Sequence, residues 1–478
     1  MMKRGLPSAR NQSVVVALWA TPYAHLKSIS AALFTGKRPQ LARIHLLSVL
    51  LLGCFAHETA AVTLEQVLQT TLEKNPAIQE GKAGLERATG QRLVFRSGVW
   101  PHIELGVPAG VQYGHRAGES GVKGFGVGRG ALDQTLFNVA VPHSLQRGDV
   151  EVLIAQQQLN VAVVEQLHAA RLAFYAALYN RSLESIRREQ QQKLQENVAT
   201  QKNRYEAGLA DRSALTSATI PASELEPQIQ SAHRAYLDAQ LQLAQAMAID
   251  PANRSLPEPE GELQFVPIHL DLDSEKAAAL ERRADVKLAR LFVRAANHDE
   301  RIIAADYYPV ATGGFRGEYV PVTGIHRQGS TSRTQDFIGS EIRERAAYFW
   351  RVVDNGKVGG AVLRARSARE INELTCRKLE ANIPRELSRI ADWLNATEER
   401  QRSVAGASEA AEESARVIQE NVASGLVSPL EYRVTQNAFL ETKSGLLEAI
   451  YQHNLAAADW DRATGRYFQF SYNTTKSR

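Results

Sequence analysis

The sequence predicts a mainly α-helical fold with a small membrane β portion, built from long coiled-coil helical hairpins plus four strands per chain. Three observations lead there. Asp149 to Ala207 is Gln-, Ala- and Leu-rich and free of Pro and Gly, so it reads as one helix of about 90 Å at roughly 1.5 Å per residue. After the break at Gly208, residues Leu215, Ala218, Ala222, Leu225, Ile229, Ala232, Tyr236, Ala239, Leu243 and Ala246 recur in alternating steps of three and four, the seam of a coiled coil. The same unit returns 217 positions later, where Gly425 stands for Gly208 and the ladder falls on Tyr432, Thr435, Phe439, Thr442, Leu446, Ala449, His453, Ala456, Trp460 and Ala463. The chain is therefore an internal duplication.

Taken in order, Thr63 with Gln66 forms a capping box and starts a helix expected to run to about Arg96, ended by Trp100-Pro101. Two Gly-rich extended stretches follow, His102 to Arg116 and Gly124 to Phe137, around a polar turn at Ala117 to Gly121. The long helix then leads to the elbow Arg204-Tyr-Glu-Ala-Gly-Leu-Ala-Asp-Arg-Ser-Ala-Leu215. There Gly208 supplies the left-handed conformation, and Asp211 or Ser213 caps the next helix. A proline-bearing linker, 250–267, joins the halves. The second half repeats the order: a helix over Leu272 to Ala305, a strand over Val310 to Pro321, a polar loop at Thr323 to Arg333, and a segment to Asp354. A helix over Lys357 to Ser424 and the elbow Asn421-Val-Ala-Ser-Gly-Leu-Val-Ser-Pro-Leu430 complete it. The expected organisation is an N-terminal extension and signal peptide (1–61), a first repeat (62–249), the linker, a second repeat (268–467) and a tail (468–478).

Net charge is +4 over 478 residues with no basic run, so nucleic acid is not indicated. Two cysteines, Cys54 and Cys376, exclude a disulfide framework and a Cys-based zinc site. The apolar run Leu46 to Gly53, preceded by Lys37, Arg38 and Arg43 and followed by Thr59-Ala-Ala61, suits a secretory signal. Leu51-Leu-Gly-Cys54 also resembles a lipobox, which makes Cys54 a candidate for lipidation. In the mature region no apolar run reaches the 18–20 residues of a transmembrane helix. Gly124-Phe-Gly-Val-Gly-Arg-Gly130 lacks the spacing, the Lys-Ser/Thr and the βαβ context of a phosphate loop. The twelve histidines follow no metal-ligand spacing. No nucleophile, base and orienter can be assembled, so the expected protein is not an enzyme and carries no cofactor.

Four strands leave two unpaired edges, and in a membrane those edges must be satisfied. The strands thus call for an oligomer, and three chains supply twelve. Thr63-Leu-Glu-Gln-Val-Leu with Asn75-Pro76, the elbow Arg204-Tyr-Glu-Ala-Gly-Leu with its echo at Gly425-Leu, and Leu136-Phe-Asn138 with its counterpart Val353-Asp-Asn-Gly356 together resemble the TolC family of outer-membrane efflux and export channels. The similarity covers about Val62 to Tyr467. It implies a homotrimeric α/β-barrel tunnel: a twelve-stranded barrel among outer-membrane lipid and a helical duct through the periplasm. It also implies two kinds of partner, a periplasmic adaptor and an inner-membrane ABC or proton-driven transporter.

The same resemblance places the elbows at the periplasmic entrance, where the adaptor docks. Gly208, Leu209, Asp211, Gly425, Leu426 and Glu431 are the residues concerned, and Glu431 falls where the family has an acidic residue lining the opening. Val434 and Val427 replace a second acidic and a basic gate residue, and Ser213-Ala214 stands for a polar-acidic pair, so the charged latch is incomplete. Other departures are Pro221, Pro227 and Pro384 inside helices, and Gly339 to Arg345, whose charges follow no clean alternation. The expected function is an export duct for type I protein secretion. Multidrug or small-molecule efflux is the alternative, and a periplasmic coiled-coil adaptor or scaffold is the rival from another class.

Overall fold

A computed structural model of the chain describes residues 61–116, 119–250, 252, 255–325, 335–423 and 426–471. Cys54, Gly425 and most of the two predicted polar loops lie outside these residues. The elements run β1 (Ala61–Val62), α1 (Leu64–Lys74), α2 (Pro76–Ser97), β2 (His102–Gly106), β3 (Ala109–Arg116), β4 (Glu119–Gly126), β5 (Gly128–Phe137), α3 (Ala140–Glu206) and α4 (Arg212–Ala246). After them come β6 (Glu258–Pro259), α5 (Leu272–Arg282), α6 (Ala284–Ala304), β7 (Val310–Ile325), β8 (Gln335–Phe349), α7 (Lys357–Ala423) and α8 (Pro429–Ala463). α3 and α7 have 67 residues each, and α4 and α8 have 35 each.

Every rung of the first ladder is buried or half-buried, as is every rung of the second. The ladders face the long helices: α3 packs on α4, and α7 on α8, with α3 also touching α2, α6 and α8. α3 starts nine residues before the Pro-free stretch. Pro142 is tolerated because it sits in the first turn, where its missing N–H has no partner anyway. At Gly148 an added Cβ would stand 3.0 Å from the Phe95 side chain, so glycine there favours the close approach of α2 and α3. α4 runs unbroken through Pro221 and Pro227, and α7 through Pro384. One 18-residue window of α3 reaches a mean hydropathy of 1.2. Half of it is buried among the other helices.

The two opening helices predicted as continuous are each two. The break falls at Asn75 (φ −58°, ψ 128°) in the first half and at Arg283 (φ −62°, ψ 129°) in the second. Asn75 is buried; its Oδ1 accepts from the Ala77 N–H at 3.0 Å, and its amide donates to the Ala246 carbonyl at 3.0 Å. Arg283 donates to the Ala463 carbonyl at 3.2 Å and to Glu386 at 2.7 Å. Ala246 and Ala463 end α4 and α8, so each break supplies a side chain that satisfies a helix-terminal carbonyl. Periodicity carries no trace of this, since the apolar face continues across the break. The linker is also less free than its prolines suggest: β6 pairs in parallel with β1, and Arg181 holds the Pro259 and Gly261 carbonyls.

The sheet order is β2-β5-β7-β8, antiparallel throughout, with β3 and β4 pairing beyond it. Each extended stretch expected in the first half is two strands, β2 with β3 and β4 with β5; β4 begins at Glu119, inside the expected turn, and β7 continues to Ile325, inside the expected loop. The charges of β8 also prove ordered. Glu341, Arg343 and Arg345 alternate along the strand and so share one face, opposite Glu318, Arg316 and Gly314 in turn.

Candidate functional site

Register divides the sheet into two chemical faces. Opposed residues share a face, which puts Ile103, Leu105, Leu132, Phe315, Tyr319, Ile342 and Tyr348 on one side. His102, Glu104, Arg129, Asp133, Arg316, Glu318, Glu341, Arg343 and Arg345 take the other. Arg129 pairs with Glu318 at 2.9 Å and Arg343 with Glu341 at 2.6 Å on the charged side. Such a sheet has an apolar side for lipid and a polar side for water. Exposed aromatic residues gather where it meets the helices: Trp100, Phe137, Tyr307, Tyr308, Phe349 and Trp350. The Trp350 indole donates to the Tyr307 carbonyl at 3.1 Å, and a belt of this kind marks a membrane–water boundary.

The entrance into each long helix is capped from a side chain. Asn138 Oδ1 accepts from the Ala140 N–H at 2.8 Å. Asp354 accepts from the Val358 and Gly356 N–H groups at 2.6 and 3.0 Å, and these backbone bonds hold its carboxyl below the usual range.

At the far end of α3 and α4 lies the first elbow. Gly208 has φ +70°. Its N–H donates to the Tyr205 carbonyl at 3.0 Å and the Leu209 N–H donates to the Arg204 carbonyl at 2.7 Å, which together make a Schellman turn. Asp211, rather than Ser213, caps α4, with Oδ1 accepting from the Ala214 N–H at 2.8 Å. The second elbow repeats this where it is described: the Leu426 N–H reaches the Asn421 carbonyl at 2.9 Å, and Ser428 Oγ accepts from the Glu431 N–H at 3.2 Å. Leu209 and Leu426 are 71% and 77% exposed, so each elbow presents a bare leucine. Glu431 is exposed in the first turn of α8, a favourable place for a carboxylate.

Arg433, not singled out from the sequence, donates to Asn197 across the α3–α8 seam. Burial, and then the charge of Arg204, pushes its guanidinium down from the usual value. Its only sequence signal is a cation within an otherwise half-buried helix face. Among the described residues no group of three or more His, Cys, Asp or Glu is placed to hold a metal ion.

Residues 67–248 match the family described as outer membrane efflux protein. No curated protein matches the sequence. Among solved structures, the outer membrane protein VceC from Vibrio cholerae has a TM-score of 0.70 at 15% identity, over 84% of this chain and 96% of that one. The Campylobacter jejuni CmeC outer membrane channel has a TM-score of 0.69 at 13% identity, over 86% and 88%. The open state of the Neisseria gonorrhoeae MtrE outer membrane channel has 0.64 at 16%, over 84% and 88%. Residues 67–248 thus form a domain of the outer membrane efflux protein family, and the chain as a whole has the fold of these solved outer membrane channels.

Proposed function

We propose that three copies of this chain close one export duct, with a twelve-stranded barrel in the outer membrane and the elbows at the periplasmic entrance. The observation that carries this is the sheet: four strands with free edges at β2 and β8, one apolar face and one charged face. Three such sheets joined edge to edge satisfy every edge. The two repeats, 62–249 and 268–467, then give sixfold-like helical packing around the duct. Crosslinking and mass measurement in detergent should give a trimer, and a stable monomer from the signal-cleaved chain would contradict it.

The elbows are proposed as the docking tips for a periplasmic adaptor that links the duct to an inner-membrane transporter. Support comes from Gly208, Leu209, Asp211, Leu426 and Glu431, and from Gly425 by its offset. Gly208→Val forces a branched residue to φ +70°, so export and adaptor crosslinking should fall while trimer yield survives. Glu431→Lys places three cations around one narrow opening. Cation preference in planar bilayers should then drop, and unchanged selectivity would remove Glu431 from the pore lining. Cys54 is proposed as a lipid anchor, tested by metabolic labelling with a fatty acid.

For cargo, type I secretion of a polypeptide is supported by the short lead between the signal and α1. Small-molecule efflux is favoured by the description of the matched family. A deletion strain that becomes sensitive to dyes and detergents with its secreted proteins unchanged selects efflux, and the reverse pattern selects secretion.

A further inference from the structure

The helices next to the sheet follow its order. α2 leads into β2, β5 into α3, α6 toward β7 and β8 into α7, while α2 packs on α3, α3 on α6 and α6 on α7. Among the described residues α2 and α7 form no such seam with each other. Each therefore keeps a free flank in line with a free sheet edge.

The duplication supplies a template for what covers these flanks. α3 starts at Ala140 and α7 at Lys357, an offset of 217. The breaks at Asn75 and Arg283 put α2 and α6 at an offset of 208. The seam between the repeats, α3 against α6, buries Ile154 beside Leu291 and Ala295, and Arg147 binds Asp299 there at 2.9 Å. Shifted by these offsets, the contacts fall on Ile371 beside Ala83 and Arg87, and on Arg364 beside Gln91. The His143 and His298 rings, 6.2 Å apart, shift to Gly360 and Gly90.

Two equivalent isoleucines show what is missing from one chain. Ile154, packed against α6, is 5% exposed, whereas Ile371 is 64% exposed. Leu363 and Leu374 on α7 are as bare, at 65% and 62%. A helix with an uncovered apolar flank lacks a packing partner. Arg87 and Arg364 make no hydrogen bond or ion pair among the described residues, and a Cβ added at Gly90 or Gly360 would meet nothing within 4 Å.

We propose that α7 of one copy packs antiparallel on α2 of the next in the register of the α3–α6 seam, with Ile371 on Ala83, Arg87 paired with Glu370, and Gly360 facing Gly90. The occupant is a second copy of this chain, because each flank continues a free sheet edge and the equivalent flank between the repeats is already filled in this way. Glu370 adjoins Ile371 and meets Arg366 of its own helix at 3.4 Å. Arg87 stands where the template buries Ala295, so its guanidinium needs the neighbour's carboxylate once it is covered. The seam between copies is thus more polar than the seam between repeats. The proposal rests on the trimer reading and adds its helical contacts and their register.

The test uses the full chain in detergent, carrying Cys376→Ser. Gly90→Cys with Gly360→Cys should give covalent trimers with a bismaleimide spanning about 8–10 Å, the distance between packed helices. Gly90→Cys with Ile371→Cys, about 16 Å further along α7, should give none. Arg87→Glu should lower the trimer share by about tenfold, since three ion pairs are lost at once, and adding Glu370→Arg should recover most of it. A double variant no better than the single one overturns the pairing and with it the register. Mass measurement separates this seam from the reading beneath it. A trimer in which the Gly90 and Gly360 positions fail to crosslink overturns the seam alone, whereas a stable monomer overturns the trimer itself.

Discussion

The two halves of the chain solve one packing problem with different chemistry. At the helix break the first half uses Asn75, a neutral amide shared among the Ala77 N–H, the Gln166 side chain at 3.0 Å and the Ala246 carbonyl. The second half uses Arg283, which binds the Ala463 carbonyl while held by Asp285 at 2.8 Å and Glu386 at 2.7 Å. Burial alone would lower the Arg283 pKa, but the hydrogen bonds and charges of Asp285 and Glu386 outweigh it and raise it. The ends of α4 and α8 differ in the same way. Both close in a Schellman turn; the left-handed residue is Ala248 (φ 55°) in the first half and Gly465 (φ 71°) in the second. A duplicated backbone thus constrains dihedral angles and hydrogen-bond geometry more tightly than it constrains side chains.

The largest expected effect comes from removing the charged solution. Arg283→Met strands two carboxylates and a helix-terminal carbonyl, at a cost of about 3 kcal/mol, near the low end for a broken buried pair because Asp285 and Glu386 keep some solvent. Asn75→Ala should cost about 2 kcal/mol, since it leaves the Ala246 carbonyl unpaired without exposing a charge. Thermal denaturation in detergent ranks the two, and an Asn75→Ala loss equal to or above that of Arg283→Met would break the contrast.

The turn residues give a smaller effect of opposite sign. Gly465→Ala should destabilise by about 1–2 kcal/mol, because it adds left-handed strain and a Cβ at 3.2 Å from Arg282 and Arg283. Ala248→Gly relieves the same strain and should stabilise by up to about 1 kcal/mol. If both substitutions destabilise, contacts of the Ala248 methyl outweigh its backbone.

The smallest effect is that of pH at the α3–α6 seam. The His143 and His298 rings lie 6.2 Å apart, and the Nδ1 atom of each is buried without a partner. Burial first, then the charges of Arg294, His143 and Arg301, lowers the His298 pKa, with Asp299 opposing. The unfolded chain therefore binds this proton more readily than the folded one. The stability is full above the ordinary imidazole value of about 6.5 and is lost as pH falls through it toward the depressed folded value. The counterpart positions in the other half, Gly90 and Gly360, carry no titratable group. His298→Gln should flatten the melting temperature between about pH 6.5 and 5, where the wild type declines.

Much of this was legible in the chain. The Pro- and Gly-free run and the ladder at alternating steps of three and four determine long paired helices, because burial of a helix face depends only on spacing. Gly208 with Asp211 determines an elbow, because a left-handed residue and a cap act within a few bonds. Other features arose only from tertiary contact. The breaks at Asn75 and Arg283 are invisible to periodicity, since their reason is a carbonyl some 170–180 residues away in sequence. Which charges stand beside those of β8, Glu318 opposite Glu341 and Arg316 opposite Arg343, emerges only once β7 sets the register. A strand by itself has two equivalent faces, and only pairing decides which of them meets lipid.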